Sequence, residues 1–198
     1  MTAVIVPQSK ALPVTADSLF RMDRGGPRYE LVRGGLREMS PAGFEHGVIT
    51  NVISSLLTDV VNRASLGLVL GAETGFVLAR DPDTVLGPDV SFVSRQKLKR
   101  VGIPATYFPE APDLAVEVVS PNDRVSEIEA KAADWLNGGT RLLWIVSPRA
   151  RTVTVYQSLQ QITVLTENDR LDGDLVIPGF SCRVGDLFQP LFPGSPPN

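Results

Sequence analysis

The sequence predicts a mixed α/β fold, in which helices flank a mixed β-sheet. Short apolar runs bounded by Pro, Gly or Asp recur along the chain, as is typical of buried strands. A long stretch near the beginning has the 3.6-residue apolar periodicity of a helix packed on a sheet. A second helical stretch separates two apolar runs, and a strand–helix–strand crossover makes its two strands parallel. These three observations together predict the fold class.

The length of 198 residues fits one domain with a substantial core. We expect this domain to cover residues 15–188. An extended arm is predicted over residues 1–14, and a Pro-rich tail over residues 189–198.

The N-terminal half begins with a short helix capped at Thr15. A hairpin over residues 29–39 follows, with its turn at Gly34-Gly35. The clearest helix spans residues 45–64, with apolar side chains on one face. Gly67 ends this helix, and two strands are predicted near residues 68–70 and 74–78.

Apolar runs dominate the second half. Strands are predicted after Pro88 and over residues 114–119, and a helix over residues 124–137 that ends at Gly138-Gly139. The remaining predictions are a buried strand over residues 142–146, a hairpin from 153–156 and 162–165, and a final strand and turn over 171–180.

Composition excludes several classes of site. A net charge of −3 argues against a protein that coats nucleic acid by bulk charge, although it permits a local basic groove. A single cysteine, Cys182, excludes an internal disulfide and Cys-rich zinc sites, and a single histidine, His46, excludes sites with several histidines. The cysteine usage fits a reducing cytoplasm, where we expect the protein. We expect neither a membrane span nor a signal peptide, because no long apolar run is present.

Glu117 lies within the apolar run PDLAVEVVSP, where a carboxylate is costly unless it is paired or binds a cation. Asp89 begins an upstream strand, and the two carboxylates can meet if these strands are neighbours. Adjacent carboxylates repel unless a cation lies between them, and oxygen ligands suit Mg²⁺ or Mn²⁺. Lys131, on the following helix, could orient a metal-bound water or stabilise an anion. The sequence therefore predicts a metal-and-water site.

Pro88-Asp89, Glu117 and a lysine resemble the PD-(D/E)XK nuclease pattern. Its common form has the lysine two residues after the acid, where this sequence has Val119. The longer run from Tyr29 to Phe188 resembles the Uma2 (DUF820) family of endonucleases. The likeness is carried by YELVRGGL, the His46-bearing helix, GPDVSFV, PDLAVEVVSP, the lysine helix ending in Gly-Gly, RLLWIVSP and LDGDLVIPGF.

This resemblance implies a restriction-endonuclease-like core and a lysine moved from the strand to the helix, which is Lys131 here. It implies Mg²⁺ (or Mn²⁺) held by Asp89, Glu117 and the carbonyl of Val118, with DNA as substrate. A homodimer is expected, because cutting two strands symmetrically requires two sites.

Further candidates are Glu30 as an additional acid, His46 at the edge of the site, and a basic cluster that could follow a phosphate backbone, formed by Arg95, Lys97, Lys99 and Arg100. Each residue type has an ordinary structural alternative. Asp89 could be a turn residue, and Lys131 could form a surface ion pair with Glu127 four residues earlier. His46 could be a structural histidine, and the cluster a solvated surface.

Three functions follow in order of preference. The first is a metal-dependent endonuclease that hydrolyses phosphodiester bonds, with DNA as the expected substrate. The second is a catalytically inactive module of the same fold that binds nucleic acid or protein. The third is a hydrolase of nucleotides or other phosphodiesters, although no Gly-rich phosphate loop is present.

Overall fold

The computed structural model describes residues 13–22, 27–72, 74–121 and 123–189. Apart from residues 13, 14 and 189, the predicted arm and tail lie outside the described residues. The helices are α1 (Ala16–Arg21), α2 (Phe44–Arg63), α3 (Arg95–Val101), α4 (Val125–Asn137) and a 3₁₀ helix (Val184–Phe188). The strands are β1 (Arg28–Val32), β2 (Gly35–Met39), β3 (Gly67–Leu70), β4 (Phe76–Ala79), β5 (Thr84–Leu86), β6 (Val90–Ser94), β7 (Leu114–Val118), β8 (Leu142–Ser147), β9 (Thr152–Tyr156), β10 (Ile162–Thr166), β11 (Arg170–Asp172) and β12 (Ser181–Arg183).

A six-stranded central sheet has the order β10-β9-β8-β7-β6-β3. All neighbouring strands are antiparallel except β7 and β8, which are parallel and are joined through α4. The predicted crossover is therefore present. The mixed α/β class predicted from the sequence is confirmed.

A second, four-stranded sheet has the order β2-β1-β5-β4 and was not predicted as a separate layer. Its β5 strand has three residues and was assigned to no element. The hairpin turn predicted at Gly34-Gly35 is wrong by one residue, because Gly35 already pairs with Val32. The turn residues are Arg33 and Gly34, with φ angles of 49° and 79°. Two left-handed residues form the type I′ turn that suits the twist of a two-residue hairpin.

The other differences are small. Gly67 begins β3 instead of only ending α2, and the final segment forms a two-stranded sheet of β11 and β12 followed by the 3₁₀ helix. The basic segment after β6 is helical, and Ser94 caps α3 by accepting the backbone N–H of Lys97. Among the described residues, no helix combines the length and hydrophobicity needed to cross a membrane.

The core is divided by the central sheet. On one face α2 packs through Ile49, Ile53 and Leu57, and on the other face α4 packs through Ala132 and Trp135. Side chains of β7 alternate between these faces: Leu114, Val116 and Val118 belong to the α2 cluster, whereas Ala115 belongs to the α4 cluster. This alternation directs the side chain of Glu117 towards α4.

Candidate active site

Asp89 and Glu117 lie side by side where two inner strands of the central sheet, β6 and β7, begin and end. Asp89 directly precedes β6, and Glu117 lies near the end of β7. Because β6 and β7 are antiparallel, with Val90 opposite Val116, the start of one strand adjoins the end of the other. The backbone N–H of Asp89 donates to the carbonyl of Val116 over 3.0 Å. Its Oδ2 accepts the N–H of Val118 over 2.7 Å, so the carboxylate has a fixed position.

Two donors from α4 bind the carboxylate of Glu117. Lys131 Nζ lies 3.0 Å from both Oε1 and Oε2, and Trp135 Nε1 donates to Oε1 over 2.7 Å. Burial raises the pKa of Glu117 to about 7. The positive charge of Lys131 lowers this pKa, and the negative charges of Asp89 and Glu30 raise it. Glu117 is therefore a buried acid whose ionisation depends on nearby cations.

Lys131 points towards the sheet. Its Nζ also lies 3.1 Å from Oε1 of Glu30, so this ammonium bridges two carboxylates. Glu127 instead caps the start of α4 through the N–H of Arg124, and lies 3.9 Å from Arg37. Burial alone would lower the pKa of Lys131, but the charges of Glu117 and Glu30 raise it above its ordinary value. Lys131 therefore remains a cation inside the site.

Glu30 reaches the site from β1 of the second sheet. Its side chain is only 5% exposed, and Oε1 accepts the N–H of Gly87 over 3.2 Å. Its other oxygen, Oε2, is buried and has no hydrogen-bond partner among the described residues. A buried carboxylate oxygen without a partner is costly, and a bound cation would remove this cost.

His46 approaches Asp89 from the first turn of α2. Its Nε2 lies 3.1 Å from Oδ2 of Asp89, and its Nδ1 lies 3.5 Å from the hydroxyl of Thr50. The hydrogen bond to Asp89 raises the pKa of His46, with a further contribution from the main chain of Val118. The histidine is thus a direct neighbour of a predicted metal ligand.

The charge balance and the types of donor in this site fit a divalent cation. Three carboxylates, of Glu30, Asp89 and Glu117, accompany the ammonium of Lys131, and one oxygen of Glu30 has no partner. Within the described ranges, no three His, Cys, Asp or Glu side chains are already arranged to hold a metal ion. Mg²⁺, however, usually keeps several waters and takes only one or two carboxylates. Asp89 and Glu117, the two predicted ligands, supply this number of carboxylates.

The basic cluster lies at the opposite end of β6 from Asp89. Five strand residues separate α3 from the site, which corresponds to about 16 Å. Lys97 donates to the carbonyl of Ala111 over 2.6 Å and lies 3.5 Å from Asp113. The guanidinium of Arg100 binds Glu110. Arg95 and Lys99 are exposed on the surface of α3.

Sequence reasoning missed the contact between Trp135 and Glu117. Trp135 was assigned only to the apolar face of its helix, which is correct but incomplete. The available signal is its position four residues after Lys131, because residues with this spacing lie on the same side of a helix. A buried indole N–H usually has a hydrogen-bond acceptor, and an indole beside Lys131 on the helix indicates Glu117 as that acceptor.

The sequence model of the Uma2 family, described as "Putative restriction endonuclease", matches residues 16–185. Among solved structures, the fold is similar to a crystal structure described as a "putative nuclease belonging to DUF820" from Anabaena variabilis ATCC 29413. The two chains are 21% identical with a TM-score of 0.76, over 89% of this chain and 98% of the other. A comparison with curated proteins finds no match. The family match extends over most of the chain and includes all six residues of the site, Glu30, His46, Asp89, Glu117, Lys131 and Trp135. The chain therefore belongs to the Uma2 family.

Proposed function

We propose that the protein is a metal-dependent endonuclease that hydrolyses phosphodiester bonds of DNA, with residues 15–188 as the nuclease domain. The observation that carries this proposal is that the ammonium of Lys131 lies 3.0 Å from Glu117, at the strand ends where Asp89 also lies. Two acids that can hold a cation, beside a lysine that can stabilise negative charge on a phosphate, fit the metal-assisted hydrolysis of a phosphodiester. The family match supports the nuclease class, and the cation and the DNA substrate are our inference.

In the proposed mechanism, Asp89, Glu117 and the carbonyl of Val118 would hold Mg²⁺ or Mn²⁺. Such an ion lowers the pKa of a bound water and stabilises charge on the phosphate. Lys131 orients the attacking water and donates a hydrogen bond from Nζ to the negative charge that develops on the phosphate oxygens. Glu30 keeps Lys131 charged and directed into the site, and His46 orients Asp89 through Oδ2.

A cleavage assay tests the proposal. Purified protein with Mg²⁺ or Mn²⁺ is expected to cut duplex DNA, and EDTA is expected to stop cleavage until excess metal is restored. A panel of duplex DNA, single-stranded DNA, RNA and nucleotides would separate an endonuclease from a nucleotide hydrolase. Failure to cut any nucleic acid with either metal would contradict the proposal.

A binding module without catalysis is the second candidate. It is favoured by the position of Lys131, because an ammonium 3.0 Å from both oxygens of Glu117 already neutralises this acid without a metal. Protein that binds duplex DNA but binds no Mn²⁺ and cuts nothing would support this candidate. The homodimer and the cytoplasmic location stay predictions, and sedimentation equilibrium would test the first.

The basic cluster supports a narrower proposal than the sequence did. Arg95, Lys99 and Arg100 are exposed, but Arg100 already binds Glu110, so we expect an Arg95→Gln/Lys99→Gln variant to weaken duplex binding and reduce the salt slope, d log K/d log [salt], by about 2. Fluorescence anisotropy with a labelled duplex at several salt concentrations measures this slope. The control is Lys97→Gln, since Lys97 already binds Ala111 and Asp113. An unchanged slope in the double variant would remove α3 from the DNA interface.

A further inference from the structure

Trp135 lies one helical turn after Lys131 in α4 and is fully buried. Its indole Nε1–H donates to Oε1 of Glu117 over 2.7 Å, and Lys131 Nζ contacts the same carboxylate. Because residues four apart share one side of a helix, a single face of α4 supplies both donors. The carboxylate is therefore fixed from one rigid element.

Burial alone does not account for this contact. Trp144 on β8 is equally buried, yet its Nε1 has no hydrogen-bond partner within the part of the chain that the structure describes. The fold thus tolerates one deeply buried indole without an acceptor. The hydrogen bond of Trp135 is a specific feature of the site, because the same packing requirement at Trp144 is met without one.

The ring of Trp135 cannot turn away without disturbing the core. It packs edge-on against Phe76, with 6.3 Å between the ring centroids, in a cluster that also contains Phe108, Leu143 and Ile145. Close packing fixes the plane of the indole and therefore the direction of its N–H. The side chain of Glu117, by contrast, has three rotatable torsions, so the orientation of its carboxylate depends on the hydrogen bonds that it accepts.

We propose that Trp135 is a positioning residue for Glu117, whose Oε1 it holds so that the carboxylate keeps the orientation in which it binds a divalent cation. The inference rests on the proposed function for the identity of the cation. Hydrogen bonds to a metal-binding carboxylate from outside the coordination sphere typically change metal affinity by about 10- to 100-fold. Trp135 touches neither substrate nor metal in this role and acts only through Glu117.

The contact itself can be observed by NMR. The chain contains two tryptophans, so a ¹H–¹⁵N spectrum should show two indole signals, which Trp144→Phe would assign. Glu117→Ala is expected to shift the signal of Trp135 and leave that of Trp144 in place. Addition of Mg²⁺ to the wild-type protein is also expected to shift the Trp135 signal and to leave the Trp144 signal in place. A Trp135 signal that does not move in Glu117→Ala would overturn the inference, even in an active nuclease.

The consequence for metal binding is tested with Trp135→Phe, which keeps a large aromatic ring but removes the N–H. We expect Mn²⁺ binding, measured by calorimetry, to weaken about tenfold, and kcat for DNA cleavage to fall without a rise in KM. Phe76→Leu is the control, because it disturbs the same cluster without touching Glu117. Its Mn²⁺ affinity should change less than about twofold against the tenfold loss expected from the missing hydrogen bond.

The outcomes separate this inference from the proposed function. Equal Mn²⁺ affinity in Trp135→Phe and wild type, or an equal loss in Phe76→Leu, would overturn the role of Trp135. Wild-type protein that binds Mn²⁺ but cuts no nucleic acid would contradict the nuclease proposal alone, and the Mn²⁺ comparison would still decide the role of Trp135. Wild-type protein that binds no Mn²⁺ would overturn both.

Discussion

Glu117→Gln is expected to reduce metal-dependent DNA cleavage by about 10³-fold or more, because metal-ion catalysis contributes several kcal/mol and each 1.4 kcal/mol is a factor of ten. Glutamine has nearly the same shape as glutamate but carries no charge. It would weaken the hold on the cation and leave Lys131 with Glu30 as its remaining acidic partner. Single-turnover cleavage of a labelled duplex at saturating protein measures the loss.

Glu110→Gln provides a matched control. Glu110 is a partly exposed glutamate that binds Arg100 near α3. Its substitution by glutamine removes the same negative charge, but at the other end of β6 and β7. We expect its cleavage rate to equal that of the wild type. If Glu117→Gln retained a rate within a few-fold of the wild type, Glu117 would not be a metal ligand and the proposed site would be wrong.

Lys131→Met is expected to lower the free energy of unfolding by about 3–5 kcal/mol at pH 8, since it leaves two buried carboxylates without their common cation. The loss depends on pH. A carboxyl group whose pKa is raised in the folded state destabilises the fold above its unfolded value of 4.5, increasingly until the pH passes the folded pKa. In wild type this folded pKa is about 7 for Glu117, and removal of Lys131 raises it further.

The part of this difference that comes from Glu117 should therefore stay small between pH 4.5 and 7, where both proteins lose stability at the same rate, and grow above pH 7, where only the variant continues to lose stability. Urea unfolding at pH 5 and pH 8 measures it, and Mn²⁺ should restore part of the lost stability at pH 8 by replacing the missing positive charge. Lys99→Met, an exposed change on α3, should leave the free energy of unfolding unchanged at both values. A pH-independent loss in Lys131→Met would show that packing, and not charge, explains the role of Lys131.

Local sequence patterns predicted much of the fold. The apolar stripe of α2 and the alternation within β7 depend on neighbouring residues, and both elements lie within one or two residues of their predicted bounds. The crossover from β7 to β8 followed from chain order alone, because parallel neighbours need a long connection. The meeting of Asp89 and Glu117 then required only that their strands be adjacent.

Three features do not follow from local sequence patterns: the β5 strand, the contact between Glu30 and Lys131, and the hydrogen bond from Trp135 to Glu117. β5 has three residues and pairs with β1 across more than fifty positions of sequence, so neither its length nor its periodicity distinguishes it from a turn. The same distance hides the contact between Glu30 and Lys131, which come from different layers of the fold. The bond from Trp135 to Glu117 was missed for another reason: an apolar pattern assigns a tryptophan to the core and does not indicate where its N–H points.

The candidate site draws on five separate elements, from β1 to α4, and this arrangement affects how the chain could gain activity during synthesis. Asp89 and Glu117 precede Lys131 and Trp135 in the chain, so a ribosome-bound fragment ending after β7 would contain the two acids but not the cation that neutralises Glu117. Such a fragment would also lack the β8 partner of β7 and the helix between them. Under the proposed function, a nascent chain cannot cleave nucleic acid until α4 and β8 have been synthesised and β8 has paired with β7.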